Sequence, residues 1–255
     1  RSVPGVGARS MTHAPRRDVA EEGTEPTPRD PHDLQQTEPR SDTDTSTRAF
    51  VKLGWPLFIA NLAVVGNGTI DTIMAGRLSA TDLAAVAVGS SIYVSVYIGL
   101  MGVLQALSPI AGHHFGAQRW RAIGDDLQQE LWLSLFLAIG GLPIVLATDD
   151  WLGFARVNAD VASIATTYLH AIAFGLPAAL ASRTFVALNA AVSRPKITMM
   201  INVFALALKV PLNAMFMSGA GPIPPMGGAG AGVATAVLAW FTLALSVGVW
   251  QFDPY

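Results

Sequence analysis

Residues 53–93 read LGWPLFIANLAVVGNGTIDTIMAGRLSATDLAAVAVGSSIY. Two apolar runs flank the short polar break GRLSATD. A helix rising about 1.5 Å per residue needs about 20 residues to cross a hydrocarbon core of about 30 Å, and each run belongs to a segment of that length. The runs are too long for core strands and rich in Ala, Leu and Met, which favour helix. Asp71 is the one charged residue in the first run, 53–75.

The same pattern recurs along the chain. Six apolar segments are predicted to span a membrane, at about 50–75, 83–111, 127–147, 161–187, 197–217 and 229–250. The expected fold class is therefore all-α and integral to the membrane, a six-transmembrane-helix bundle. Composition agrees: 51% of residues are hydrophobic and 13% charged, against a charged share of about 25% in a soluble domain. The charges are also unevenly spread. Residues 1–48 hold 7 of the 16 basic and 9 of the 18 acidic side chains, leaving 9 of each for the other 207 residues. A water-soluble surface cannot be built from so few charges without large apolar patches.

Three regions follow: 1–48, a disordered cytoplasmic tail poor in branched and aromatic residues; 49–250, the six-helix lobe; and 251–255, the start of a further segment. The tail has no apolar run like that of a signal peptide, and Met11 is its first candidate initiator. A net charge of −2 without a basic stripe excludes nucleic acid as a partner. The chain has no Cys, so disulfides and thiolate metal sites are excluded. No Walker, GxSxG, HExxH or dinucleotide-binding motif occurs, so neither an ATP-driven pump nor a familiar hydrolase is expected.

Basic residues set the expected orientation. Arg48, Lys52, Arg119, Arg121, Arg194 and Lys196 flank the spans on one side; Arg77 and Arg156 lie on the other. Six against two places the N-terminus in the cytoplasm. Small residues such as Gly66, Gly68, Gly89, Gly99, Gly102 and Gly175 are expected to let helices approach closely. Pro56 and Pro177 are candidate hinges, although ordinary packing accounts for most such positions.

Two charges stand out inside spans. A carboxylate at membrane depth costs at least about 2.5–3.5 kcal/mol on the insertion scale. Asp71 must therefore pair, bind a cation or proton, or reach hydrated interface. Lys209, in ALALKVPLNAMF, is its candidate partner; a Lys snorkelling from a span end is the alternative. Asn213 lies four residues on from Lys209 and shares its helix face. Asn189 and Asn202 are weaker candidates for polar groups lining a cavity. His113 and His114, adjacent on a helix, point about 100° apart and make a poor chelate, so no metal site is expected.

The stretch 53–93, together with the later runs KVPLNAMF and GGAGAGVATA, resembles the start of a multidrug and toxic compound extrusion (MATE) transporter of the bacterial sodium/proton-driven branch. The ordered matches cover about residues 50–250. The resemblance implies one lobe of a twelve-helix protein that exchanges Na⁺ or H⁺ for organic cations and other drugs across the inner (plasma) membrane. It uses no cofactor beyond the coupling ion. It also implies a coupling site at Asp71, Lys209 and Asn213. The family pattern has Asn or another neutral group where this chain has Lys209, and a fixed positive charge there competes with a bound cation. The expected partners are small-molecule drugs, membrane lipid, and either a second lobe or a second copy of the chain. A flippase for lipid-linked precursors and a non-transporting half-protein are the competing expectations; a membrane enzyme has no nucleophile–base or metal pair to support it.

Overall fold

The computed structural model describes residues 42–105, 108–192, 194–219 and 224–252. Residues 253–255 of the expected final segment and 1–41 of the expected tail lie outside these residues. From Ser46 onward the chain forms one compact unit. Among the described residues it is built from nine helices and no strands: α1 (Asp42–Leu78), α2 (Ala80–Leu104), α3 (Ser108–Gly116), α4 (Trp120–Leu146), α5 (Thr148–Ala155), α6 (Ala159–Ala173), α7 (Leu176–Ala191), α8 (Pro195–Ser218) and α9 (Ala229–Phe252).

Five stretches are long and apolar enough to cross a membrane: Gly54–Leu78, Ala80–Gly116, Arg121–Leu146, Pro195–Ser218 and Ala229–Gln251. The sixth expected span, 161–187, is not one straight helix. It is the pair α6 and α7, bent by 49°. The bend has a local cause. Pro177, near the start of α7, has no N–H to offer the carbonyl of Ala173. At Gly175 an added Cβ would sit 2.7 Å from Cα of Ala236, so α9 presses against the bend where only glycine fits. Pro177 thus accompanies a break, whereas α1 runs through Pro56 without one.

Helix α9 lies at the heart of the bundle, packed against α6, α7 and α8. Its glycine-rich start explains the closeness. A Cβ on Gly230 would meet the Phe216 carbonyl of α8 at 2.6 Å, and one on Gly232 would meet the Tyr168 carbonyl of α6 at 2.7 Å. Gly89 of α2 receives the Tyr168 ring in the same way. Gly68, Gly99 and Gly102 do not behave as expected, since nothing lies within 4 Å of a Cβ built on them. Tyr93, Tyr168, Leu169, Leu176, Leu180 and Met217 belong to the main buried cluster.

The loop sequence LSATD has a structural task. Ser79 caps α2 by accepting from the Asp82 amide at 2.9 Å. Asp82 in turn accepts from the Gly228 amide at 2.6 Å, tying the α1–α2 turn to the entry of α9.

Outward-facing apolar side chains complete the picture. Trp55, Phe58, Val65, Phe136, Phe174 and Met200 are all exposed. A surface of that kind matches lipid as solvent. The protein is a multi-pass membrane protein.

Candidate ion site

The site begins on α8. Lys209 and Asn213 lie one turn apart on its inward face and are 1% and 0% exposed. Close packing of α8 on the glycine-rich start of α9 brings Thr235 alongside them. Thr235 Oγ1 donates its proton to the Ala231 carbonyl at 2.7 Å. Its lone pairs are thereby left to accept from Lys209 Nζ at 2.5 Å. Asp71 arrives from α1. Its Oδ1 lies 2.9 Å from Lys209 Nζ and accepts from Asn213 Nδ2 at 2.7 Å. Asp71 itself is only 7% exposed.

Of the alternatives left open by the sequence, the structure supports pairing for both charges. Lys209 does not snorkel, and Asp71 is not hydrated at an interface. Asp71 precedes the end of α1 by seven residues (78 − 71), about 10 Å along the axis at about 1.5 Å per residue. Two acceptor oxygens close by in sequence are buried without a partner: Asn213 Oδ1, and Oδ1 of Asn67, one turn before Asp71. Among the described residues the cation paired with Asp71 is the Lys209 ammonium.

Helix α1 sits less closely on the bundle than the other spans, although its Ala75 and Met74 pack into the main apolar cluster. It makes no backbone approach to another helix as close as those among α2, α6, α8 and α9. Its other ties to α8 are a bond from Asn202 Nδ2 to the Ala60 carbonyl at 3.3 Å and the contact of Gly66 with the Leu206 side chain.

The remaining predicted residues lie elsewhere. Asn202 serves that α1–α8 contact. Asn189 is buried near the α7–α8 turn, where its carbonyl accepts from the Arg194 amide at 2.8 Å, away from the Asp71 cluster. His114 Nδ1 is 2.7 Å from Asp126 Oδ2, a carboxylate partner that the sequence reading did not assign. Among the described residues no three His, Asp or Glu side chains converge on a metal position.

Three residues with a part in buried polar structure escaped the sequence reading. Thr235 is a hydroxyl in an apolar helix and carries no signal of its own. Glu130 and Arg183 do carry one, since both are charged and fall inside the predicted spans 127–147 and 161–187. Arg183 Nε donates to the Tyr97 hydroxyl at 2.5 Å, with its guanidinium over the Tyr97 ring, 5.6 Å from the centroid.

The bundle faces lipid and holds an acidic residue, a cation and an amide between its first, fifth and sixth spans. Residues 56–215 match the model of the MatE family, and the chain belongs to that family. It is 44% identical over 194 residues to the probable multidrug resistance protein NorM of Aromatoleum aromaticum, covering 76% of this chain and 42% of that protein. Among solved structures, the MATE transporter NorM-NG, in a complex that includes a monobody, is 33% identical, with a TM-score of 0.58 over 77% of this chain and 43% of that one. The eukaryotic MATE transporter AtDTX14 shares the fold, with a TM-score of 0.74 at 20% identity, covering 82% of this chain and 46% of that one. The chain spans less than half the length of these relatives.

Proposed function

We propose that the chain forms one lobe of a multidrug efflux antiporter of the inner membrane, and that Asp71, Lys209 and Asn213 couple organic-cation export to proton entry. The second lobe is either further sequence or another copy of the chain. The excess of Arg and Lys flanking the spans on one side supports a cytoplasmic N-terminus.

The observation that carries the choice of ion is the Lys209 ammonium 2.9 Å from Asp71. A sodium ion at the same oxygen would face a buried like charge with nowhere to go. A proton needs no such room. Taken up by Asp71, it removes the carboxylate charge and ends the pair, leaving Lys209 to Thr235. The bond that holds α1 to α8 is then weakened, which is how ion binding would reach a helix with few other ties. The same pairing weighs against the flippase reading, because Lys209 is neutralised where it stands and gives a cavity no free cation.

Dye efflux in cells expressing the gene that encodes this chain tests the reading. Asp71→Asn is expected to abolish efflux while membrane insertion, followed by immunoblot of the membrane fraction, stays intact. Efflux at the wild-type rate in that variant would remove Asp71 from the mechanism.

A further inference from the structure

A second polar cluster lies toward the opposite membrane face. Glu130 is on α4, ten residues (130 − 120) or about 15 Å from the helix start at Trp120. It is 6% exposed, and its Oε1 is buried with no protein partner. Among the described residues no cation comes within ion-pair distance of it. It lines a cavity of about 100 Å³ with Gln105, Arg183 and the apolar Met101, Leu104 and Val186. Arg183, on the opposite wall, is turned onto Tyr97, which stacks on Tyr93.

Glu130 also borders a second, smaller cavity of about 10 Å³, shared with Asp126. Asp126 precedes Glu130 by one helical turn and so lies on the same face. That volume is close to what a single water molecule needs. Asp126 is bonded to His114 of α3, and these two side chains are 18% and 29% exposed. The three groups descend from partly exposed His114 through Asp126 to buried Glu130.

We propose that Glu130 is a second proton-binding site of the lobe, in proton exchange with the Arg119–Arg194 face through His114 and Asp126. One proton from water at that face is taken up by His114, passes to Asp126 as the imidazole returns to its neutral form, and moves on through the smaller cavity to Glu130, leaving Asp126 a carboxylate again. Loaded, the carboxyl is neutral and needs no counter-charge in its apolar wall. Unloaded, the carboxylate is balanced by Arg183 across the larger cavity, which is roomy enough for several waters. The groups around Glu130 are therefore Arg183, itself bonded to Tyr97, and Gln105 along the larger cavity, and Asp126 with His114 on the surface side. Use of this proton in transport rests on the antiport reading, but its binding does not.

The test exploits composition. The chain has five glutamates: Glu21, Glu22, Glu25, Glu38 and Glu130. Protein labelled with carbon-13 at the glutamate carboxyl is placed in lipid nanodiscs and titrated by NMR. One of the five resonances is expected to titrate apart from the other four, to vanish in Glu130→Gln, and to shift its midpoint in Arg183→Gln. Five resonances that titrate together would overturn the proposal. So would a separate resonance whose midpoint is unchanged by Arg183→Gln. The wild-type titration is informative even if the Gln variants fail to fold. Failure here leaves the Asp71 reading standing, since that is read by dye efflux and involves no glutamate.

Discussion

The lobe holds two acid–base couples at membrane depth, and they are built differently. Asp71 and Lys209 touch at 2.9 Å, with Asn213 and Thr235 taking further bonds. Glu130 and Arg183 face each other across about 100 Å³ without an ion-pair contact. The difference comes from helix packing. Gly230 and Gly232 let α9 close on α8 and α6, so the first couple is squeezed shut. Between α2, α4 and α7 the glycine in close contact is Gly141, against the Leu100 and Leu176 side chains and eleven residues (141 − 130) along α4 from Glu130, whereas Gly102, next to the cavity-lining Met101, has open space around it. A closed couple is costly to break from one side. An open one can change its charge without losing a bond.

The largest expected effect breaks the closed couple alone. Lys209→Met strands a buried carboxylate and is expected to cost about 3–5 kcal/mol, with most of it recovered in Lys209→Met/Asp71→Asn. Arg183→Met removes one hydrogen bond and one cation–π contact and is expected to cost about 1–2 kcal/mol. Chemical unfolding of the purified protein in mixed micelles measures both. Equal costs at the two sites would erase the distinction.

A smaller effect probes the packing behind it. Gly232→Val drives a side chain into the Tyr168 carbonyl and is expected to cost about 1–3 kcal/mol. Gly102→Ala is expected to be neutral, or to stabilise by up to about 1 kcal/mol as alanine replaces glycine in a helix. The same unfolding experiment reads the pair, and a large loss at Gly102 would mean the cavity side is tighter than its geometry.

The smallest expected effect is at the surface end of the open couple. His114→Ala removes a partly exposed bond to Asp126 and is expected to change stability by less than about 1 kcal/mol. A larger loss would give His114 a role in holding α3 to α4 beyond that one bond.

Much of this was legible in the sequence for one physical reason: charge is rare in lipid, so each instance is informative. Asp71 and Lys209 stood out in long apolar runs, and Asn213 followed from its spacing. The bend at Phe174–Gly175 was only half legible, because Pro177 marks a weak point while Ala236 of α9 decides that it breaks. Glu130 and Arg183 were missed although both are charged. Each lies within five residues of a predicted span end, where a long side chain reaching for water is the ordinary outcome. Only the packed structure shows Glu130 turned inward. Thr235 had no sequence signal, since a threonine in a helix usually satisfies itself on its own backbone, as this one also does.

The central claim is that the Lys209 ammonium holds the position beside Asp71 that a metal cation would need. Equilibrium binding of radiolabelled sodium to the purified protein tests it directly. The wild-type chain is expected to show no saturable sodium binding, and Lys209→Asn, which frees Asp71 while keeping a neutral polar group, is expected to gain it. Stoichiometric sodium binding by the wild-type chain that disappears in Asp71→Asn would contradict the account.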